Sequence, residues 1–513
     1  MHLYDMVRTG LLRQIRSYPF LITIALTVFS GYALVPPADA GYTILQTGGV
    51  RGVYNSAWLG GIATLSSSVF LWLFGFYLLR NKISEDHHLN MGTLITSAPV
   101  RKTHYLLAKV VTNLLTLMLI HLVLIPLLIM MQFLRGESYQ IQLLDYMLPF
   151  LLITVPSFTV LATLTVLFDI VPGLKGAVGN ILYFLLWALL AAFSMEHIRQ
   201  ADVMGSQLIF SQILEQATVT FPFIDHNIGF GYLEVSTIHT FIWNGLVWTP
   251  QLIRERLVWI VVAVVIFFIT VLIFPRSSLV AGKAKRTKEQ ATLLNIYSDP
   301  TELPMEKEGL SPLHTKKKYH FFPLLRSEIL LILKGLPKWW YILSIAAIGG
   351  TMLIDYRELK EWLPITLLWP ITIWSQMATR ERHHRTEALL FSSGSPFLQL
   401  FSQWFAGYII TFALGIGITF SAITAHDGSF LVSWLVGLCF VPTLALALGV
   451  WSGTRKLFEV IYLLVWYMGP MQVESPLDFM GISQTEPLPF FYLGCTLLLF
   501  VVAVIGRKKQ LKN

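Results

Sequence analysis

The chain has two cysteines in 513 residues, Cys439 and Cys495, both inside apolar runs and without a C-x-x-C spacing. That pattern excludes a disulfide scaffold and a thiolate zinc site, and it leaves the redox compartment open. Charge is scarce as well. Asp, Glu, Lys and Arg make up 13% of the residues, against about a quarter in soluble proteins, too little to cover a water-facing surface. No G-x-x-x-x-G-K-[ST] occurs, and Gly282-Lys283 is followed by Ala284, so the chain offers no phosphate-cradling loop of its own. Asp, Glu, Lys and Arg are also missing from the centres of the apolar runs; Lys109 and Glu459 lie near run ends, where they can snorkel. A charged residue at a span centre costs about 2.5 to 3.5 kcal/mol and marks an ion or proton path.

What the chain holds instead is apolar sequence, 55% of the total. A hydrocarbon core of roughly 30 Å needs about 20 apolar residues per helix. Runs suited to this lie at 18–36, 58–79, 104–133, 146–168, 177–195 and 257–274. A second set lies at 339–354, 362–379, 399–424, 430–450, 457–473 and 490–506. Six plus six runs exclude simple anchoring of a soluble enzyme and predict an all-α polytopic membrane protein of about twelve transmembrane helices. The net charge of +8 could suit nucleic acid, but its distribution matters more. With the runs alternating sides from an inner start, inner segments collect 30 of the 37 basic residues, and outer segments collect 16 of the 29 acidic ones. The positive-inside bias places both termini in the cytoplasm of a multi-pass cell-membrane protein.

The boundaries divide the chain into a first half, 1–275, with an outer insertion at 196–256, a linker at 276–323, and a second half, 324–513. Arg8, Arg13 and Arg16 followed by an apolar stretch and Ala38-Asp39-Ala40 imitate a secretory signal. The stretch is longer than a signal core, however, and the second half opens with its own basic leader, Arg326, Lys334 and Lys338. Residues 3–16 and 324–337 read as interfacial amphipathic helices, with Leu11, Leu12, Leu330 and Leu333 dipping into the acyl boundary. The linker is rich in Pro, Ser, Thr, Glu and Lys and cannot bury a core; its Lys316-Lys317-Lys318 suits anionic headgroups.

The most specific signal is an internal repeat in two inner loops, each between the second and third run of its half. At a constant offset of 296, His87-His88 fall on His383-His384, Leu94 on Leu390, and Thr96-Ser97 on Ser392-Ser393. Each loop reads as a short helix with an apolar face, ended by small residues and a proline: Ser97-Ala98-Pro99 in one, Ser392-Ser393-Gly394-Ser395-Pro396 in the other. Such a helix can lie along the membrane and offer one face to a cytoplasmic partner.

These loops resemble those of type-2 ABC transporter permeases, which carry a pattern close to Gly-Thr-x-Glu-x-Leu-Leu-x-Ser-Pro with a Lys several residues on. The matching residues are Thr93-Leu94-Ile95-Thr96-Ser97-Ala98-Pro99 with Lys109, and Thr386-Glu387-Ala388-Leu389-Leu390-Phe391-Ser392-Ser393. The first loop has Asn90 or Met91 where the family often has Glu, and the second has Phe405 at the position of Lys109. The resemblance implies coupling helices seated in separate ATPase subunits, two copies of them, with Glu85, Glu381 and Glu387 pairing with basic groove residues. It implies the membrane half of a bacterial exporter for an amphipathic cargo such as a peptide, drug or lipid. Catalysis would then lie outside this chain: it would carry no cofactor, and ATP and Mg would be used by the partner. The resemblance also implies an outer gate in the aromatic insertion, with Phe221, Phe223, Trp243 and Trp248 as candidates.

Other readings are weaker. Adjacent histidines on a helix point in different directions, and no H-E-x-x-H accompanies them, so the His pairs do not make a metal site. Asp39, Asp355 and Asp427 lack the paired partner that a membrane hydrolase or glycosyltransferase needs. The alternative that stays open is a twelve-helix secondary transporter driven by an ion gradient, a class that usually places ionisable residues or broken helices at mid-membrane.

Overall fold

The computed structural model describes residues 3–37, 40–83, 86, 101–195, 202–222, 228–234, 239–274, 320–336, 338–354, 356–383, 386–387, 396–471, 477–483 and 488–511. The linker read at 276–323 therefore lies almost wholly outside the described residues. Two compact units divide the chain at Leu303 and Pro304. Seven helices among the described residues are long and apolar enough to cross a membrane, and the chain is a helical membrane protein.

In the first unit, α1 (Leu3–Ile15) is amphipathic and α2 (Tyr18–Ala33) is apolar; strands β1 (Tyr42–Thr47) and β2 (Val50–Gly52) follow. The helices α3 (Ser56–Leu79), α4 (Lys102–Arg135) and α5 (Leu143–Ile170) are long enough to span, whereas α6 (Ala177–Met195) is apolar over a shorter window. After α7 (Ser206–Thr220), β3 (Ile228–Glu234) and β4 (His239–Phe241) comes the last helix, α8 (Pro250–Ile273). Two of the spanning helices are wound wide for part of their length: α3 at Ser67–Gly75 and α5 at Phe150–Thr154 form π-turns.

The four strands make one sheet in the order β3-β1-β2-β4, a feature the sequence reading did not contain. β1 pairs antiparallel with β3 and β2 pairs parallel with β4, so residues 42–52 find their partners in the aromatic insertion. The sheet residues Leu45, Val50 and Phe241 pack into the core of the unit. Arg51, buried, forms a two-pronged ion pair with Glu137, which also accepts from the Tyr54 amide at 2.9 Å. Under it, Trp58 meets Phe241 and Trp243 edge-on, each at 5.9 Å. Asn55 caps α3 by accepting from the Trp58 amide and ties it to the insertion by donating to the Trp243 carbonyl, both at 2.8 Å.

The second unit runs α9 (Phe321–Lys334), amphipathic, then α10 (Lys338–Leu353) and α11 (Tyr356–Thr366). Where the sequence suggests one helix over 362–379, the backbone breaks. It turns through 367–370, makes the short α12 (Ile371–Trp374), and turns again, with Ala378 at φ +54°, a strained value for a residue with a Cβ. Pro364 and Pro370 supply the cause, since each removes a backbone donor. The rest are α13 (Arg380–His383), α14 (Pro396–Leu414), α15 (Ile416–Thr424), α16 (Gly428–Ser452), α17 (Arg455–Trp466) and α18 (Leu488–Gln510).

The irregular stretches of the two units are held in the same way. Tyr183 and Trp187, four apart on one face of α6, donate to the carbonyls of Trp72 and Val69 in the π-turn of α3, the indole at 3.1 Å. Tyr462 and Trp466, again four apart, donate at 2.8 and 2.7 Å to the carbonyls of Leu367, where the backbone breaks, and of Pro364, in the last turn of α11. In both units the tyrosine takes the later carbonyl and the tryptophan the one three residues earlier.

A second device is also shared. Asp202-Val203-Met204-Gly205 and Asp478-Phe479-Met480-Gly481 are fully buried turns ahead of the last helix of each unit. Gly205 at φ +78° and Gly481 at φ +77° take the left-handed conformation that favours glycine. Asp202 accepts from the Leu208 amide at 3.1 Å and pairs with Arg256 at 3.6 Å. Asp478 accepts from the amides of Met480 and Gly481 at 3.1 Å and of Ser483 at 2.6 Å.

The clasp predicts that Trp466→Phe, which keeps an aromatic ring but removes the indole donor and leaves the Pro364 carbonyl only the 3.4 Å bond from the Leu367 amide, destabilises the second unit by about 0.5 to 1.5 kcal/mol. Thermal unfolding in detergent measures this. An unchanged midpoint would show that the carbonyl finds another donor.

Candidate functional site

The repeated loop segments, 87–100 and 388–395, lie outside the described residues, and with them Glu85, Thr93, Leu94, Thr96, Ser97, Ala98, Pro99, Leu390, Ser392, Ser393 and Gly394. What is visible is how each unit anchors the chain on either side of its segment.

In the first unit the anchor is Asp86, one residue past the expected Glu85. It is buried and receives three donors: Lys109 Nζ at 2.6 Å, the Tyr105 hydroxyl at 2.8 Å and Arg13 Nη1 at 3.2 Å. Tyr105 and Lys109 sit four apart on one face of α4, and Arg13 comes from the last turn of α1. Next to Arg13, Gln14 donates to Asn113 at 3.2 Å and accepts from Thr116, so α1 is fastened along α4 by polar side chains on both. Lys102, at the start of α4, reaches the Val271 carbonyl at the end of α8 at 2.9 Å. Lys109, singled out in the sequence through the family pattern, is thus held by the residue next to the expected acid.

In the second unit the anchor is Glu381. Gln403 of α14 donates to its Oε1 at 2.9 Å, and Arg507 of α18 stands 3.5 Å from the same oxygen. Beside it, Arg380 pairs at 3.3 Å with Glu328 of α9. Burial pushes the Glu328 carboxyl above its ordinary range, with Arg380 opposing. Thr386 returns its amide to the Glu381 carbonyl at 2.9 Å, and Pro396 opens α14 at a position where its missing N–H costs nothing. Of the acidic residues expected to face a partner, Glu381 is buried within its own unit. Glu387 is exposed, 4.0 Å from an exposed Arg382, an arrangement worth little in water.

The two anchors share a plan with the charges reversed. The amphipathic helix brings a cation, Arg13, to an acid in the first unit, and an acid, Glu328, to a cation in the second. The place of Lys109 beside the acid of the first unit is taken in the second not by Phe405 but by Gln403, two residues earlier.

At the sheet end of the first unit, Trp243 is buried against Trp58, and Trp248 packs partly buried against the same core. Phe221 ends α7 with its ring 6.4 Å from His239; Phe223 lies outside the described residues. These rings fill a core under the sheet. In the second unit Asp427 caps α16 by accepting from the Phe430 amide and binds Tyr356 at 2.8 Å and Lys360 at 3.1 Å. Partial desolvation opposes its ionisation, but these donors win and hold the carboxyl well below its usual range.

Sequence reading missed His121 altogether. It lies near the middle of α4, fully buried, with Nδ1 2.6 Å from Ser67 Oγ and its ring stacked on Phe150 at 4.8 Å. Counting histidine among the ionisable residues within spans would have found it, as an internal-repeat search would have found the Asp-x-Met-Gly pair.

Two expectations follow. Asp86→Asn leaves Lys109 and Arg13 without their charge partner and weakens the α1–α4 contact by about 1.5 to 3 kcal/mol, read as faster proteolysis at residues 84–101 and a lower unfolding midpoint. Asp427 is a stronger acid in the folded state than in the unfolded chain, so its contribution is complete above about pH 5 and fades as pH falls further. Asp427→Asn removes that part of the acid dependence, which unfolding midpoints measured from pH 6 to 3 would reveal as a flatter profile. Comparison with protein-family models, with curated proteins and with solved structures gives no match, so any functional reading rests on these residues and their geometry.

Proposed function

We propose that the chain is the membrane-spanning permease subunit of an ATP-driven exporter, two pseudo-equivalent six-helix halves in one polypeptide. In this reading it recruits two copies of a cytoplasmic ATPase through the loops at 87–100 and 388–395 and moves an amphipathic cargo. The observation that carries the reading is duplication at three places: the Tyr-x-x-x-Trp clasp, the Asp-x-Met-Gly turn, and the acidic anchor beside each repeated loop. A loop tied at its root to an amphipathic helix and to the next spanning helix suits a lever. Force applied to it reaches the helices as rigid-body motion, and ATP shifts the helices only through contacts that differ between its states.

The experiment is to purify the chain with its ATPase and replace Ser97-Ala98-Pro99, or Ser392-Ser393-Gly394, by charged residues. The expected result is loss of association and of cargo-stimulated ATP hydrolysis, by tenfold or more for about 1.4 kcal/mol of lost contact. Full association in both variants would overturn the proposal. One observation favours the rival secondary transporter: His121, a buried ionisable side chain inside a spanning helix. Gradient-driven uptake by the chain alone in vesicles decides for that rival.

A further inference from the structure

His121 stands where the two π-turns of the first unit meet. Ser67, which bonds its Nδ1, opens the π-turn of α3; Phe150, on which its ring stacks, opens the π-turn of α5. Phe158 meets the same ring edge-on at 6.5 Å. Thr154 lies midway between Phe150 and Phe158, four residues from each, and so on the face of α5 that meets the imidazole. Both His121 Nε2 and Thr154 Oγ1 are fully buried and have no hydrogen-bond partner in the protein; the hydroxyl of Ser68, next to Ser67, is a third such group.

Buried polar atoms left unbonded in an apolar bundle cost about 1 to 3 kcal/mol each, and native proteins rarely carry several together. The geometry points to an internal binding site for one ordered water molecule, bridging His121 Nε2 and Thr154 Oγ1. Water suits the site for two reasons. It both donates and accepts, and so serves whichever imidazole tautomer the Ser67 bond selects. It is also small, and a buried water needs only two to four polar partners. Bound there, it pins α4 to the wide turns of α3 and α5 at one point, and widened turns of this kind are frequent at functional sites. The site belongs to the first unit alone, since Gly417 occupies the position 296 residues after His121. It stands independently of the transport reading.

The test uses the full chain in lipid bilayers, with nitrogen-15 in histidine and tryptophan, and follows magnetisation from water to side-chain nitrogens by solid-state NMR. His121→Phe assigns the signal; Ser67→Ala, which shifts the Nδ1 resonance, serves if that variant does not fold. The expected result is transfer from water to His121 Nε2 severalfold faster than to the indoles of Trp72 and Trp434, which donate to the Ser157 and Thr419 hydroxyls in the protein interior. Thr154→Val, nearly the same shape without the hydroxyl, should slow that transfer severalfold. Transfer no faster than at the two indoles overturns the proposal, as does transfer that Thr154→Val leaves unchanged.

Discussion

A backbone carbonyl released from its helix inside an apolar bundle must find a donor, because neither water nor lipid supplies one. Much of this architecture answers to that constraint. Where α3 widens and where the backbone breaks at the end of α11, carbonyls of the irregular backbone accept from a hydroxyl and an indole N–H presented four residues apart on a neighbouring helix. Tyrosine and tryptophan suit the task, since each has a large apolar body for the bundle and one polar tip for the bond. Irregular backbone thus persists at a defined place and in a defined shape in both units.

The ends of the helices follow the opposite logic. There charge is used, and it is used to fasten. Asp86 and Glu381 each gather side chains from a spanning helix and sit at the root of a repeated loop, and Asp427 gathers Tyr356, Lys360 and a helix amide. A buried carboxylate is costly unless donors meet it: Asp86 gathers three, and Glu381 holds Gln403 and Arg507 at one oxygen. Reversal of charge between the Arg13–Asp86 and Arg380–Glu328 pairs keeps the plan while changing its members.

Much of the scaffold was legible in the chain. Apolar run length announces spanning helices because the bilayer thickness sets the length of helix required, and the amphipathic leaders of α1 and α9 declare themselves by their leucines and arginines. The candidate site was half legible. Lys109 stood out by its place in a pattern, whereas Asp86 did not, since its role depends on Tyr105 and Arg13 arriving from other helices. Trp243 read as an outer-gate candidate in an aromatic insertion, and the structure buries it edge-on against Trp58 in the core that the sheet packs on.

What the sequence determined by itself was whatever depends on neighbours along the chain: helix where apolar residues run on, and an amphipathic leader where leucines and basic residues recur at helical spacing. The tertiary structure alone decided the pairing of residues 42–52 with 228–241, the burial of Glu381 and the setting of His121. The reason is physical. A strand, a buried acid or a lone imidazole acquires its partner only when segments tens to hundreds of residues apart are brought within about 3 Å, and no local pattern records which ones will be.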